Sequence, residues 1–162
     1  MNHYPSLIFL SLGTILGAVP DSSAIAPRPE LAPTPPKFYV ECHAFIRASA
    51  EITQDYGYHL RGFGYGEPVE NGINVNLDAE NIFLLVERKQ PEEEKYVPLY
   101  EKIPLVEHSQ GSKIVEYIPQ NFLASIVVGY DIEVGVILIK HQLERDRQIQ
   151  GKGGCLFVPL AN

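Results

Sequence analysis

The feature that most constrains the fold of this chain is a two-residue alternation of side-chain character. Every second residue from Phe38 to Ala48 is apolar or small, whereas the residues between them include Glu41, His43 and Arg47. Successive side chains of a β-strand point to opposite faces, so a period of two indicates a strand with one buried face. The pattern predicts that Cys42 points into the core.

Similar runs rich in Val and Ile follow along the chain, and their branched side chains suit a pleated surface. The candidate strands are 82–87, 96–107, 113–118, 122–130, 132–143 and 155–160. Turn-forming segments separate them at 70–72, 89–94, 109–111 and 151–154. We therefore predict an all-β fold, an antiparallel β-sandwich or small barrel of about seven strands.

Two segments leave alternatives open within this fold. Pro98 and Pro104 cannot donate ladder hydrogen bonds, so 96–107 is expected at a sheet edge or as two short pieces. Residues 140–150 are an alternative short C-terminal helix, because Glu144 and Arg145 are good helix formers and Gly151 would cap it.

The N-terminal region predicts export. Leu7 to Val19 is an uncharged apolar run, too short for a membrane anchor, and small residues follow it before Ala24. We expect a signal peptide over 1–24, a proline-rich disordered arm over 25–36 and a single β-rich domain over 37–162. The protein is then secreted and extracellular, and its mature N-terminus is Ile25.

An oxidising compartment changes how the two cysteines are interpreted. Cys42 and Cys155 form an even pair, so one disulfide is the simplest expectation, and two free buried thiols are the alternative.

Charge and motifs exclude several partners and cofactors. The formal net charge is −7, which argues against nucleic acid and against an anionic membrane. A membrane helix over 122–140 is disfavoured because Asp131 and Glu133 lie near its middle. His43, His59, His108 and His141 are far apart and show no ligand spacing, so we expect no metal and no other cofactor.

A glycine–aromatic tract from Tyr56 to Gly66 is the most unusual local feature. On a strand, one of its faces carries His59, Arg61, Phe63 and Tyr65, which are side chains that grip a partner protein or stack on a sugar ring. We take these four residues as the candidate binding site. The alternative is that the aromatics fill the core while the glycines let the strand bend.

Catalytic motifs are missing from the sequence. It contains no Gly-x-Ser-x-Gly signature and no phosphate loop, and the acid/base candidates Asp131 and Glu133 have no visible partner. We expect no enzymatic activity and no catalytic residues. A hydrolase site assembled from distant residues is the alternative.

The segments Phe38–Cys42 and Gly153–Val158 give an architectural resemblance to the small secreted β-sandwich effectors of plant-pathogenic fungi. In that group a disulfide commonly ties the first strand to a point just before the last one. The resemblance implies virulence-related binding of a host protein, and it carries over no functional residue. We therefore expect a secreted, non-enzymatic, effector-like interaction protein, with a carbohydrate-binding module as the alternative.

Overall fold

A computed structural model describes residues 32–121 and 125–161, which form eight β-strands and no helix. The strands are β1 (Lys37–Ile46), β2 (Asp55–Val69), β3 (Gly72–Lys89), β4 (Val97–Gln110), β5 (Ile114–Pro119), β6 (Ile126–Asp131), β7 (Val136–Glu144) and β8 (Arg147–Pro159). The predicted signal peptide, residues 25–31 of the predicted arm and the start of the predicted strand at 122–130 lie outside the described residues. Within the described ranges, no helix has the length and hydropathy needed to cross a membrane.

Each strand pairs antiparallel with the next strand in the sequence, and β8 pairs with β1, so the sheet closes into a barrel. The all-β prediction is confirmed, and of its two architectures the chain adopts the barrel, with eight strands. An eight-stranded barrel has an interior just wide enough for side chains to fill it.

Alternate residues of every strand fill this interior. The largest fully buried side chains include Tyr58, Leu60, Ile82, Leu84, Ile126, Tyr130, Ile137 and Ile139. The Tyr130 hydroxyl donates a 2.7 Å hydrogen bond to the carbonyl oxygen of Val75, so its polar atom does not remain unpaired in the core.

The alternative helix over 140–150 is wrong, because this segment forms the β7–β8 hairpin, with its turn at Arg145 and Asp146. His141 lies opposite Ile149 in the ladder, and both side chains are buried. The period-two burial of this segment and its pairing with a neighbouring strand override the helix propensity of Glu144 and Arg145.

The predicted turn at 151–154 is also wrong, because these residues lie inside β8. Two of their glycines, Gly151 and Gly153, serve close packing against β1. A Cβ atom at Gly153 would collide with the carbonyl oxygen of His43, and one at Gly151 would press on the Ile46 side chain at 2.7 Å. The missing side chains therefore let the first and last strands approach each other.

β4 runs unbroken from Val97 to Gln110 between β3 and β5, so the expected edge position or break at its prolines is wrong. A closed barrel has no edge strand. β4 instead accommodates its prolines, which cannot donate backbone hydrogen bonds, by irregular pairing with β3. The β3–β4 register shifts twice, at Leu84/Val86 and Val86/Glu87, and Lys102 adopts a positive φ of 44°.

The predicted disulfide is confirmed. Cys42 and Cys155 lie directly opposite each other on β1 and β8 and form a disulfide bond. The Cys42 side chain is fully buried, as its place in the alternation predicted. The bond joins the two ends of the sheet from inside the barrel, and it therefore fixes the seam at which the barrel closes.

Candidate functional site

All four predicted binding residues lie on the outer wall of the barrel. In β2, Tyr58 and Leu60 are fully buried, so His59, Arg61, Phe63 and Tyr65 between and beyond them face outward. Arg61 and Tyr65 are exposed, Phe63 is half-buried and His59 is 9% exposed. The alternative, in which the tract fills the core, applies to the opposite face with Tyr56 and Tyr58.

The neighbouring strand β8 adds apolar side chains that the sequence argument missed. Leu156 is 62% exposed and Val158 is 43% exposed, and in the ladder they lie opposite Glu41 and Tyr39 of β1. A usable signal was present in the sequence. Because Cys155 must face inward to reach Cys42, the residues at 156, 158 and 160 must face outward.

We call the outward-facing side chains of β8, β1 and β2 the seam surface. Among the described residues, half of the exposed large apolar side chains lie on it. These are Phe45, Tyr65, Val69, Leu156 and Val158.

The aromatic centre of the seam surface is held by ring and cation contacts. Tyr39 and Phe63 pack edge to face, with ring centroids 6.2 Å apart and planes crossing at 73°. The Lys37 ammonium lies 4.5 Å from the Phe63 centroid and 5.8 Å from that of Tyr65. Such contacts fix the rings while leaving part of each accessible.

A chain of polar contacts crosses the same surface from β1 to β3. The Arg61 guanidinium donates to Glu41 at 3.0 Å, and the His43 Nε2 atom lies 3.2 Å from the same carboxylate. His43 and His59 meet through their Nδ1 atoms at 2.6 Å, and the His59 Nε2 atom is 2.9 Å from Glu87. One of these two Nδ1 atoms must donate and the other must accept, so a single proton joins the two rings.

A shallow apolar hollow of about 410 Å³ adjoins the seam surface at His59 and Arg61. It lies over β2, β3 and β4, and Phe83 and Leu85 line it. Lys102, the residue with positive φ, extends its ammonium to 4.7 Å from the Phe83 centroid. The hollow extends the apolar area of the seam surface across β3.

A separate cavity of about 510 Å³ opens at one end of the barrel, and we call it the mouth cavity. His141 and Tyr56 line it, and their rings pack edge to face at 5.9 Å. The His141 Nδ1 atom is 2.8 Å from the hydroxyl of Tyr58. Burial lowers the pKa of His141 to about 4 and raises that of Tyr58, so both groups are neutral near pH 7 and the phenol donates to the imidazole.

A hydrolase site of distant residues would require a histidine and a carboxylate acting together. Glu144 also lines the mouth cavity, but its Oε1 atom accepts a 2.6 Å hydrogen bond from Arg147. Among the described residues, the hydrogen-bond partner of the His141 ring is the Tyr58 phenol. In the mouth cavity, His141 and Glu144 are therefore not paired as an acid and a base.

The sequence-based acid/base candidates have other partners. The Asp131 carboxylate accepts backbone N–H groups from Glu133 and Val134 at 3.0 and 3.3 Å, which caps the β6–β7 turn. Glu133 accepts a 2.8 Å hydrogen bond from Lys113. Both carboxylates thus stabilise a turn at the barrel surface.

Metal ligation finds no support in the described ranges, 32–121 and 125–161, because no three His, Cys, Asp or Glu side chains there are arranged to hold an ion.

Comparison with known proteins gives no relative: no family model, no curated protein and no solved structure matches the chain.

Proposed function

We propose that this protein is a secreted, effector-like interaction protein that binds a partner protein through the seam surface and catalyses no reaction. The observation that carries the proposal is the row of exposed apolar residues Leu156 and Val158 beside Tyr39, Phe63 and Arg61. Aromatic residues and arginine are enriched where proteins bind one another, and apolar side chains around them exclude water.

The scaffold behind the seam surface suits recognition by a preformed face. The Cys42–Cys155 bond lies on the inner side of β1 and β8, directly beneath the exposed residues of both strands. A face that is already ordered loses less conformational entropy on binding. The disulfide is also compatible with the extracellular location that the predicted signal peptide implies.

The ring geometry favours a protein partner over a carbohydrate. A sugar ring stacks on a flat, open aromatic face, whereas the planes of Tyr39 and Phe63 cross at 73° and Lys37 covers part of Phe63. The mixture of apolar, cationic and anionic groups matches the composition of protein interfaces more closely.

Affinity capture with a double variant tests this proposal. We expect Arg61→Ala with Tyr65→Ala to abolish capture of the partner that the wild-type protein retains from host extracellular fluid. Val106→Ala is the control variant, because the exposed Val106 lies on β4, at least two strands away from every strand of the seam surface. Circular dichroism must show that both variants retain the fold.

The two variants together decide the result. Loss of the partner in the seam variant alone supports the proposal. An unchanged partner set in that variant, or equal loss in the control, would contradict it, and so would stoichiometric metal or hydrolytic activity in the purified protein.

A further inference from the structure

The mouth cavity contains a cation that has no ion-pair partner in the part of the chain that the structure describes. Arg88 lies directly opposite Tyr56 in the β2–β3 ladder, on the same side of the sheet, and both residues line the cavity. The Arg88 side chain is exposed and forms no ion pair within the described residues. Its guanidinium therefore presents its donors to any molecule that enters the cavity.

A second guanidinium lies nearby, and its charge is compensated. Arg147 binds Glu144 at 2.6 Å and donates to the carbonyl oxygen of Glu51 at 3.2 Å. Its Nε atom is buried and has no hydrogen-bond partner among residues 32–121 and 125–161. Since Glu144 neutralises Arg147 and His141 is neutral, the charged groups lining the cavity sum to about one positive charge, in a chain whose net charge is −7.

The rest of the lining supplies neutral hydrogen-bonding groups beside aromatic rings. Ser125 offers a hydroxyl, and Tyr56 and Tyr100 offer phenol rings. Gln142 offers its amide oxygen, because its amide nitrogen donates to the backbone carbonyl oxygens of Glu144 and Arg145. This combination of neutral donors, acceptors and rings is suited to a hydroxylated ring, and a volume of about 510 Å³ falls in the usual range for small-molecule sites.

We propose that the mouth cavity binds a small hydroxylated carboxylic acid of the size and chemistry of a uronic acid. The carboxylate pairs with Arg88, the hydroxyl groups bond to the neutral polar lining, and the ring packs near Tyr56. Neutral His141 forms the floor of the site, where Tyr58 holds it by its Nδ1 atom. This inference does not depend on the seam surface, which lies on the outer wall.

Titration of the isotope-labelled protein with galacturonate, followed by amide NMR shifts, tests the proposal. Galactose is the matched ligand, because it differs only at C6, where a neutral hydroxymethyl group replaces the carboxylate. We expect galacturonate to shift amides around Tyr56, Ser125 and His141 and galactose to bind much more weakly. Arg88→Ala should weaken galacturonate binding by at least about tenfold, since charge-assisted bidentate bonds are the strong ones.

Lys140→Ala is the control variant, because this exposed cation neighbours His141 in the sequence and does not line the cavity. Its affinity for galacturonate should equal that of the wild type. The proposal is overturned if galacturonate causes no shifts at the cavity, if galactose binds equally well, or if Arg88→Ala binds as tightly as the wild type.

Discussion

Removal of the Cys42–Cys155 bond should lower the stability of the barrel without opening it. The bond closes a loop between residues separated by 113 positions in the sequence. For a loop of this length the chain-entropy model gives a stabilisation of about 4–5 kcal/mol. Observed losses on removing native disulfides run from about 2 to 5 kcal/mol. The β1–β8 ladder from Phe38/Pro159 to Ala44/Gly153 remains to hold the seam.

Urea unfolding of Cys42→Ala with Cys155→Ala measures this loss. The chain has nine tyrosines and no tryptophan, so tyrosine fluorescence and far-ultraviolet circular dichroism are the suitable probes. We expect the free energy of unfolding to fall by about 2–5 kcal/mol. The urea m-value should rise, because an unfolded chain without the cross-link exposes more surface.

Wild-type protein with its disulfide reduced provides the control, and its stability should agree with that of the double variant. A loss below about 1 kcal/mol with an unchanged m-value would refute the chain-entropy argument. Loss of all β-structure in the variant would instead show that the ladder alone cannot hold the seam.

Two further predictions concern His141 and the glycines of β8. Because burial lowers the folded-state pKa of His141 to about 4 from 6.5, the unfolded chain takes up this proton first, so stability should fall by up to roughly 3 kcal/mol as the pH drops from 6.5 to 4. Urea unfolding across that range should show a shallower decline for His141→Gln, and an identical slope would contradict the assignment. Gly153→Ala should cost about 1–3 kcal/mol because its Cβ meets the His43 carbonyl, whereas Gly154→Ala, with nothing within 4 Å, should change stability by less than about 0.5 kcal/mol. Thermal unfolding compares the two, and equal effects would refute the packing argument.

Much of the wall of the barrel could be predicted from the sequence, because a strand with one buried face alternates apolar and polar residues. The inward direction of Cys42 follows from counting residues by two. The same count places His59 and Arg61 on one face of β2, but only the folded barrel shows that this face is the outer one. The glycines of β8 led to the wrong prediction of a turn at 151–154. Gly151 and Gly153 instead allow close contact with β1. That role depends on a neighbour more than 100 residues away.

The seam surface and the mouth cavity differ in how much of each could be predicted from the sequence. The sequence indicated the β2 part of the seam surface, and the β8 part required knowing that Cys155 faces inward. The mouth cavity was not visible, because Tyr58 and His141 are 83 residues apart and only barrel closure brings them together. Arg88 carries no local signal of its role either, since its freedom from ion pairs is a property of the folded chain.

The most direct test of the central claim is a site-specific photo-crosslink to the captured partner. A benzophenone side chain at position 156, in place of the exposed Leu156, should form a covalent adduct with the partner. The reason is that position 156 contacts the partner when the partner is bound to the seam surface. The same group at position 106, in place of Val106 on the far wall, should form none. An adduct at position 106 with none at 156 would contradict the assignment of partner binding to the seam surface.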